Sequence, residues 1–341
     1  MKKVLQIHFN GSWNDRGCLQ HITQAWSRRT QNYEHFFASA WRAHSRDEVE
    51  GRPHFFFTEN RLANRLYNKI LRLNKLCTYE LIPIVEKVKP DILHFHNRHD
   101  LVDQIMVRLS YRPRVVCHYH FCYNELPIPA SANYLIGVSK LVVAWIDRKA
   151  EPSQPLAVLH NPFSPLDAIE KRTGPEPLII NYSNIRKATR DLFQAVERLN
   201  GEGFSFAVQC LGHVFSDLTP PKNVTVSRSL PQLDYLDLVA RSNAFLSTSY
   251  GTPFSVAVLE AMARDTPVIC PWDIGVLDLL PQDCVISYES HSVDALADAL
   301  RKLLQMPETE RRHLAQQARQ AAEVYDETVI TRKLERIYDA L

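Results

Sequence analysis

Apolar residues recur along this chain in two alternating patterns. Short runs rich in β-branched and aromatic residues read as strands: KVLQIHF (3–9), EHFFASAW (34–41), DILHFHN (91–97), RVVCHYH (114–120) and ANYLIGVS (132–139). Between them, GCLQHITQAWSRR (17–29) places Leu19, Ile22 and Trp26 on one stripe and predicts a helix, as does KLVVAWIDRKA (140–150). A second alternating series follows: LIINYS, helix ATRDLFQAVERLN, FAVQCLG, NVTVSRS, helix LDYLDLVARS, AFLSTS, helix VAVLEAMARD and PVICP. Helices near 292–305, 308–324 and 327–340 close it. Strands spaced by helices predict parallel βαβ units. The charged, Gly- and Pro-bearing stretch EKRTGPEP (170–177) is the expected linker. The predicted fold is α/β, with two Rossmann-like doubly wound domains facing across a cleft. An acceptor domain spans 1–170 and a donor domain 175–325, and a C-terminal helix at 326–341 packs back on the first. Ligands of such sheets bind beyond the carboxyl ends of the strands.

The 341 residues, 45% hydrophobic and 23% charged, describe a globular chain with full cores. A net charge of +2 gives no reason to expect a nucleic-acid binder. The charge is uneven: residues 1–170 carry 22 Lys and Arg against 16 Asp and Glu, and residues 171–341 carry 18 against 22. A basic first half suits an anionic partner. Seven scattered cysteines, no evident leader after Met1-Lys2-Lys3 and no apolar run of the ~20 residues that span a bilayer fit a reduced, cytoplasmic setting.

The stretch RVVCHYHFCYNE (114–125) crowds two cysteines and two histidines together. In a strand His118 and His120 share one face and Cys117 takes the other, so the four cannot converge on one ion. No metal site is expected, and the cysteines read as core fillers. In STSYGTPFSVAVLEAMARDTPVICP (247–271) a strand ends in a Ser/Thr cluster and a helix opens near Ser255. Amides of Ser255, Val256 and Ala257 in its first turn can bind an anion. Glu260, farther along, can accept two ribose hydroxyls. The alternative is a plain cap at Ser255 and a solvated carboxylate at Glu260.

That stretch resembles the signature of the family-4 retaining glycosyltransferases of GT-B fold, through Phe254, LEAMA (259–263) and PVI (267–269). The resemblance implies a metal-independent enzyme that moves a hexose from a nucleotide sugar to a glycan. A UDP-sugar is favoured over a GDP-sugar, and the setting is cell-surface polysaccharide or lipopolysaccharide synthesis. It assigns the donor ribose to Glu260. The family's first glutamate, which contacts the sugar, is Thr252 here. NYSNIRKATRDLFQA (181–195) resembles the donor-phosphate motif and implies Lys187 on the pyrophosphate; Asn181 stands where the family has an arginine, and Arg186 could supply the charge. Gly17 matches a glycine loop against the donor, and Gly212 closes a donor-domain strand. Val115-Val116 to His120 has the spacing of the family's sugar-contacting histidine, and His118 stands behind it. On the acceptor side fall Asn10, Trp13, His96 and Asn97. Core packing is the alternative for both histidines, and a basic surface helix start for Arg186, Lys187 and Arg190.

The segment 61–77 has Arg61, Arg65, Lys69, Arg72 and Lys75 on one stripe and leucines on another. Such a helix can lie on an anionic membrane, as a peripheral enzyme extending a lipid-linked glycan would need. It can equally pack on the sheet. Two other readings stay open: a non-catalytic sugar-nucleotide-binding or scaffold protein, and a hydrolysing epimerase. No G-x-G-x-x-G, Walker loop or G-x-S-x-G elbow is present.

Overall fold

A computed structural model describes residues 1–8, 18–40, 48–49, 51–57, 76–97, 99–122, 127–151, 153–164, 177–183 and 185–341. It divides into two compact units. One contains Met1–Pro162 and Glu327–Leu341, the other Phe163–Asp326. The expected linker at 170–176 lies outside the described residues, as do Asn10, Trp13, Gly17 and residues 61–75 of the basic segment.

The first unit runs β1 (Lys2–His8), α1 (Cys18–Arg29), β2 (Tyr33–Ala40), β3 (Glu48–Val49), β4 (Arg52–Phe57), α2 (Leu76–Val88), β5 (Ile92–His96), α3 (Val102–Met106), β6 (Arg114–Tyr119), β7 (Tyr134–Gly137), α4 (Lys140–Asp147) and β8 (Leu156–Val158). Its sheet has the order β3-β4-β2-β1-β5-β6-β7-β8. All pairings are parallel except the short β3–β4 edge. The register sets His8 beside His96 and His96 beside His118. Because side chains alternate, Val4, Gln6 and His8 line one face with His94, His96 and His118. Leu5, Ile7, Leu93, Phe95, Val115 and Cys117 line the other and are fully buried. The Trp26 indole of α1 lies nearly parallel to the rings of His94 and His118 at 5.6 and 5.7 Å. The C-terminal helix α10 (Glu327–Asp339) belongs to this unit and buries Tyr338 against the same face.

The second unit runs β9 (Leu178–Ser183), α5 (Arg186–Gly201), β10 (Ala207–Gly212), β11 (Val224–Ser227), α6 (Gln232–Arg241), β12 (Ala244–Ser247), α7 (Val256–Ala263), β13 (Val268–Pro271), β14 (Ile286–Tyr288), α8 (Val293–Gln305) and α9 (Glu308–Ala322). The all-parallel order β11-β10-β9-β12-β13-β14 makes β9 and β12 central. The face under α5 and α8 is aliphatic: Ile179, Leu192, Val196, Leu199, Val208, Leu246, Leu300 and Leu303 form one cluster. Ser292 caps α8 by accepting from the Ala295 amide at 3.1 Å.

Candidate functional site

The carboxyl ends of β9, β12 and β14 bring the donor-side candidates onto one edge of the second unit. Glu260 sits one turn into α7, half-buried, and its Oε1 accepts from Gln232 Nε2 at 2.6 Å. Burial raises its carboxyl above the ordinary range, against the opposing effects of that hydrogen bond and of Arg264. Gln232, the first residue of α6, was not singled out from the sequence. Only its place at a helix start on the same edge hints at it.

Ser255 takes an extended backbone at the N-cap of α7, and its side chain makes no cap hydrogen bond. Ser255 thus holds the cap position without supplying a side-chain hydrogen bond. Val256 opens the helix, half-buried. Phe254 meets Tyr325 edge-on, 5.3 Å between centroids, and anchors the turn before it. Thr252 Oγ1 donates to the Ser249 carbonyl at 2.7 Å, and its own carbonyl accepts from the Gly275 amide at 2.9 Å. That hydroxyl is committed to the loop. Gly212 closes β10 at φ 122°, a conformation that suits glycine.

Asn181 is fully buried. Its Nδ2 donates to the Leu246 carbonyl at 3.0 Å and to Thr248 Oγ1 at 3.2 Å, and its Oδ1 accepts from Cys210 Sγ at 3.1 Å. It ties β9 to both neighbouring strands and has no surface left for a ligand. Arg186 pairs with Asp217 through Nε at 2.9 Å and through Nη2, so its charge is already matched. Lys187, the next residue, is exposed, with Nζ 3.2 Å from His291 Nδ1 and 5.7 Å from the Tyr250 ring centroid.

In the first unit a hydrogen-bonded network fixes the imidazoles. Gln6 Nε2 donates to His35 Nδ1 at 3.0 Å and to the Tyr338 hydroxyl at 3.2 Å. The Tyr338 hydroxyl, accepting there, donates to His94 Nδ1 at 2.6 Å. His96 Nε2 donates to Gln6 Oε1 at 2.9 Å, which leaves His96 Nδ1 to accept from His120 Nε2 at 3.0 Å. Asn97, in the left-handed region at φ 65°, accepts the His120 amide on Oδ1 at 2.9 Å. Burial is the main cause that holds His8, His94, His96 and His118 well below the ordinary imidazole range, and it pushes His120 down to about 3. His96 and His118 are 1% and 0% exposed, against 5% for His120 and 7% for Asn97. His120 therefore ends the row nearest to solvent, and His118, stacked on it at 4.1 Å, stands behind it.

Among the described residues, His94, His96 and His118 offer ligand atoms within 4.8 Å of one another. This buried trio could hold an ion, which the strand alternation of 114–120 does not foretell. His94 lies nearly parallel to His96 and His118 at 19°, and His96 and His118 are tilted at 37°. Both nitrogens of His96 are already engaged. Cys117 points to the opposite face and Cys122 is half-buried; both thiols are free.

Residues 210–321 match the family model of glycosyl transferases group 1. No curated protein sequence matches the chain. Solved structures match along its whole length. The lipopolysaccharide outer core galactosyltransferase WaaB superposes with a TM-score of 0.75 at 14% identity, covering 99% of this chain and 100% of its own. HepE from Anabaena, in complex with UDP and glucose, gives 0.74 at 15% identity with both chains fully covered. Sucrose-phosphate synthase from Thermosynechococcus elongatus gives 0.73 at 14%, covering 100% and 99%. The chain has the fold of these GT-B glycosyltransferases, two parallel-sheet α/β units. No helix among the described residues is long and apolar enough to cross a membrane.

Proposed function

We propose that this chain is a glycosyltransferase that moves a sugar from a nucleotide donor to a glycan acceptor. A UDP-sugar is the favoured donor, as HepE was solved with UDP and UDP-glucose; a GDP-sugar comes next. The observation that carries the reading is the carboxyl edge of the second sheet. There Glu260 is held by Gln232, α7 starts without a side-chain cap, and the Lys187 ammonium is directed at a ring nitrogen rather than a carboxylate. The carboxylate accepts the ribose hydroxyls. The helix amides and the ammonium take the diphosphate, whose negative charge grows as the bond to the sugar breaks. Transfer with retention follows if the acceptor hydroxyl attacks the anomeric carbon on the face the diphosphate leaves. Its oxygen bonds to that carbon, its proton passes to the departing phosphate, and UDP is released. His120, at the solvent end of the imidazole row, is the first unit's candidate for sugar contact. Asn97 fixes its backbone, and His96 fixes its tautomer.

Calorimetric titration with UDP, UDP-glucose, UDP-galactose and GDP-mannose tests the reading. One nucleotide should bind with a micromolar Kd, and Glu260→Gln and Lys187→Ala should each weaken it at least tenfold, about 1.4 kcal/mol. Wild-type protein that binds none of the four would sink it. Retention is read from the anomeric configuration of the product by NMR.

A second reading is favoured by Thr252, whose hydroxyl is spent on the Ser249 carbonyl where the family has a carboxylate. Under it the protein binds the nucleotide sugar without turning it over, and Thr252→Glu would restore transfer. The membrane role of 61–77 is a further part of the proposal. Reversing Arg65 and Lys69 should release the protein from anionic vesicles, and unchanged vesicle binding would remove that part alone.

A further inference from the structure

Lys187 is reached from two other loops at the edge just described. It lies in the first turn of α5, after β9. Tyr250 comes from the β12–α7 loop and His291 from the β14–α8 turn. The Tyr250 and His291 rings touch, 3.8 Å between centroids at 53°. The ammonium can only donate, so His291 Nδ1 accepts its proton at 3.2 Å and the imidazole carries its own hydrogen on Nε2. The Tyr250 face supplies a cation–π contact at 5.7 Å.

Two features separate this contact from an incidental one. His291 sits at φ 65°, in the left-handed region where a non-glycine residue is strained. The turn into α8 would be more comfortable with glycine, and Ser292 already caps the helix without help from His291. The second feature is charge. Arg186, one residue earlier, is matched by Asp217, whereas Lys187 is held by a neutral ring and a π face. Asp191, one turn along α5, interacts with Lys187 and His291 only through its field; burial raises its carboxyl, and its Oδ2 has no hydrogen-bond partner. An imidazole acceptor fixes the direction of the ammonium without cancelling its charge, which a carboxylate would do.

We propose that His291 and Tyr250 are positioning residues that aim Lys187 at the diphosphate of the donor, His291 accepting backbone strain to do so. The proposal rests on the donor site as read above. Its test separates the two.

The experiment measures UDP affinity and melting temperature for the full chain and its His291→Gly, His291→Asn, Lys187→Ala and Lys187→Ala/His291→Gly variants. Glycine relieves the left-handed backbone, so H291G should melt at or above the wild-type temperature while binding UDP roughly tenfold more weakly. A residue with only a structural role would move the two together. Asparagine tolerates the same backbone and places Oδ1 where Nδ1 was, so H291N should keep affinity within about threefold of wild type. With Lys187 already removed, H291G should change affinity less than about twofold, since its effect passes through the ammonium. If K187A weakens UDP but H291G does not, the positioning role is wrong and the donor site stands. If K187A has no effect, or wild type binds neither UDP nor GDP, the donor site and this inference fall together.

Discussion

The two units solve one packing problem with different chemistry. In each, the first strand of the sheet is followed by a helix that covers one of its faces. The inward residues of β1 are Val4, Gln6 and His8; those of β9 are Ile179, Asn181 and Ser183, again apolar, amide and polar. Around Asn181 the layer is aliphatic, and the amide needs only a strand carbonyl, Thr248 and the Cys210 thiol. Around Gln6 the layer is imidazole, and the amide becomes the hub that fixes the proton positions of His35, Tyr338 and His96. A sheet face can therefore be filled by stacked neutral rings as well as by aliphatic side chains, provided hydrogen bonds set the tautomers. The difference is that one filling titrates and the other does not.

Acid should break the comparison most sharply. The folded values of His8, His94, His96, His118 and His120, and of His99 at about 4, lie below the unfolded value of about 6.5. As pH falls the unfolded chain takes up protons first. The stability these rings contribute is fully present above about pH 6.5 and is lost below it. Between pH 7.5 and 5.5 each ring that stays neutral in the fold can forfeit on the order of 1 kcal/mol, so the group together weighs heavily against usual domain stabilities of about 5–15 kcal/mol. Scanning calorimetry at descending pH should show the first unit's transition moving down steeply while the second stays nearly still. Two transitions that fall in parallel would refute the assignment.

The reverse perturbation is a cavity in the aliphatic layer. Leu300→Ala, at a fully buried position of the second unit's cluster, should cost about 2–5 kcal/mol. It should lower that unit's transition by the same amount at pH 8 and pH 6. A pH-dependent loss would mean that the layer holds a titrating group after all.

A smaller effect sharpens the same contrast within the first unit. Neither nitrogen of His118 has a well-formed hydrogen bond; the Leu159 backbone acts on the ring, but far more weakly than burial does. His118→Leu exchanges an unsatisfied ring for an apolar side chain of similar size. It should stabilise the unit by about 1 kcal/mol and flatten its pH dependence by one proton. Destabilisation at pH 8 would show that the stack against His120 and Trp26 outweighs the unpaired nitrogens. The smallest expected effect is at the surface: Asp217→Asn frees the exposed Arg186 and should leave the melting temperature unchanged within error. It should also leave UDP affinity unchanged if Lys187 carries the phosphate contact.

Much of this architecture is legible in the chain. The β-branched runs became β1, β5, β6, β9, β12 and β13, and the striped segments became α1, α5, α6, α7, α8, α9 and α10. Strand period also told that His118 and His120 share a face and Cys117 does not, because alternation is a property of the backbone alone. RPHFFF carries a proline, which speaks against a strand, yet it forms β4, where Pro53 lies beside the two-residue edge strand. LCTYELIPIVEKV likewise holds Pro83 inside α2. The residue types that suit a donor site were legible too, as a lysine at a helix start and a glutamate inside a helix.

Which of those residues keep a surface was decided only by the tertiary structure. The family resemblance puts Asn181 and Arg186 on the donor side, yet one is consumed by Leu246, Thr248 and Cys210 and the other by Asp217, 31 residues away. His291 carried no signal in the sequence and Gln232 only its place at a helix start, because what recommends them is the ammonium and the carboxylate they reach across the loops. Local sequence sets backbone period and side-chain chemistry. Whether a polar group is free, paired or buried depends on partners far along the chain, and only the register of the sheets and the landing of the helices bring those partners within 3 Å.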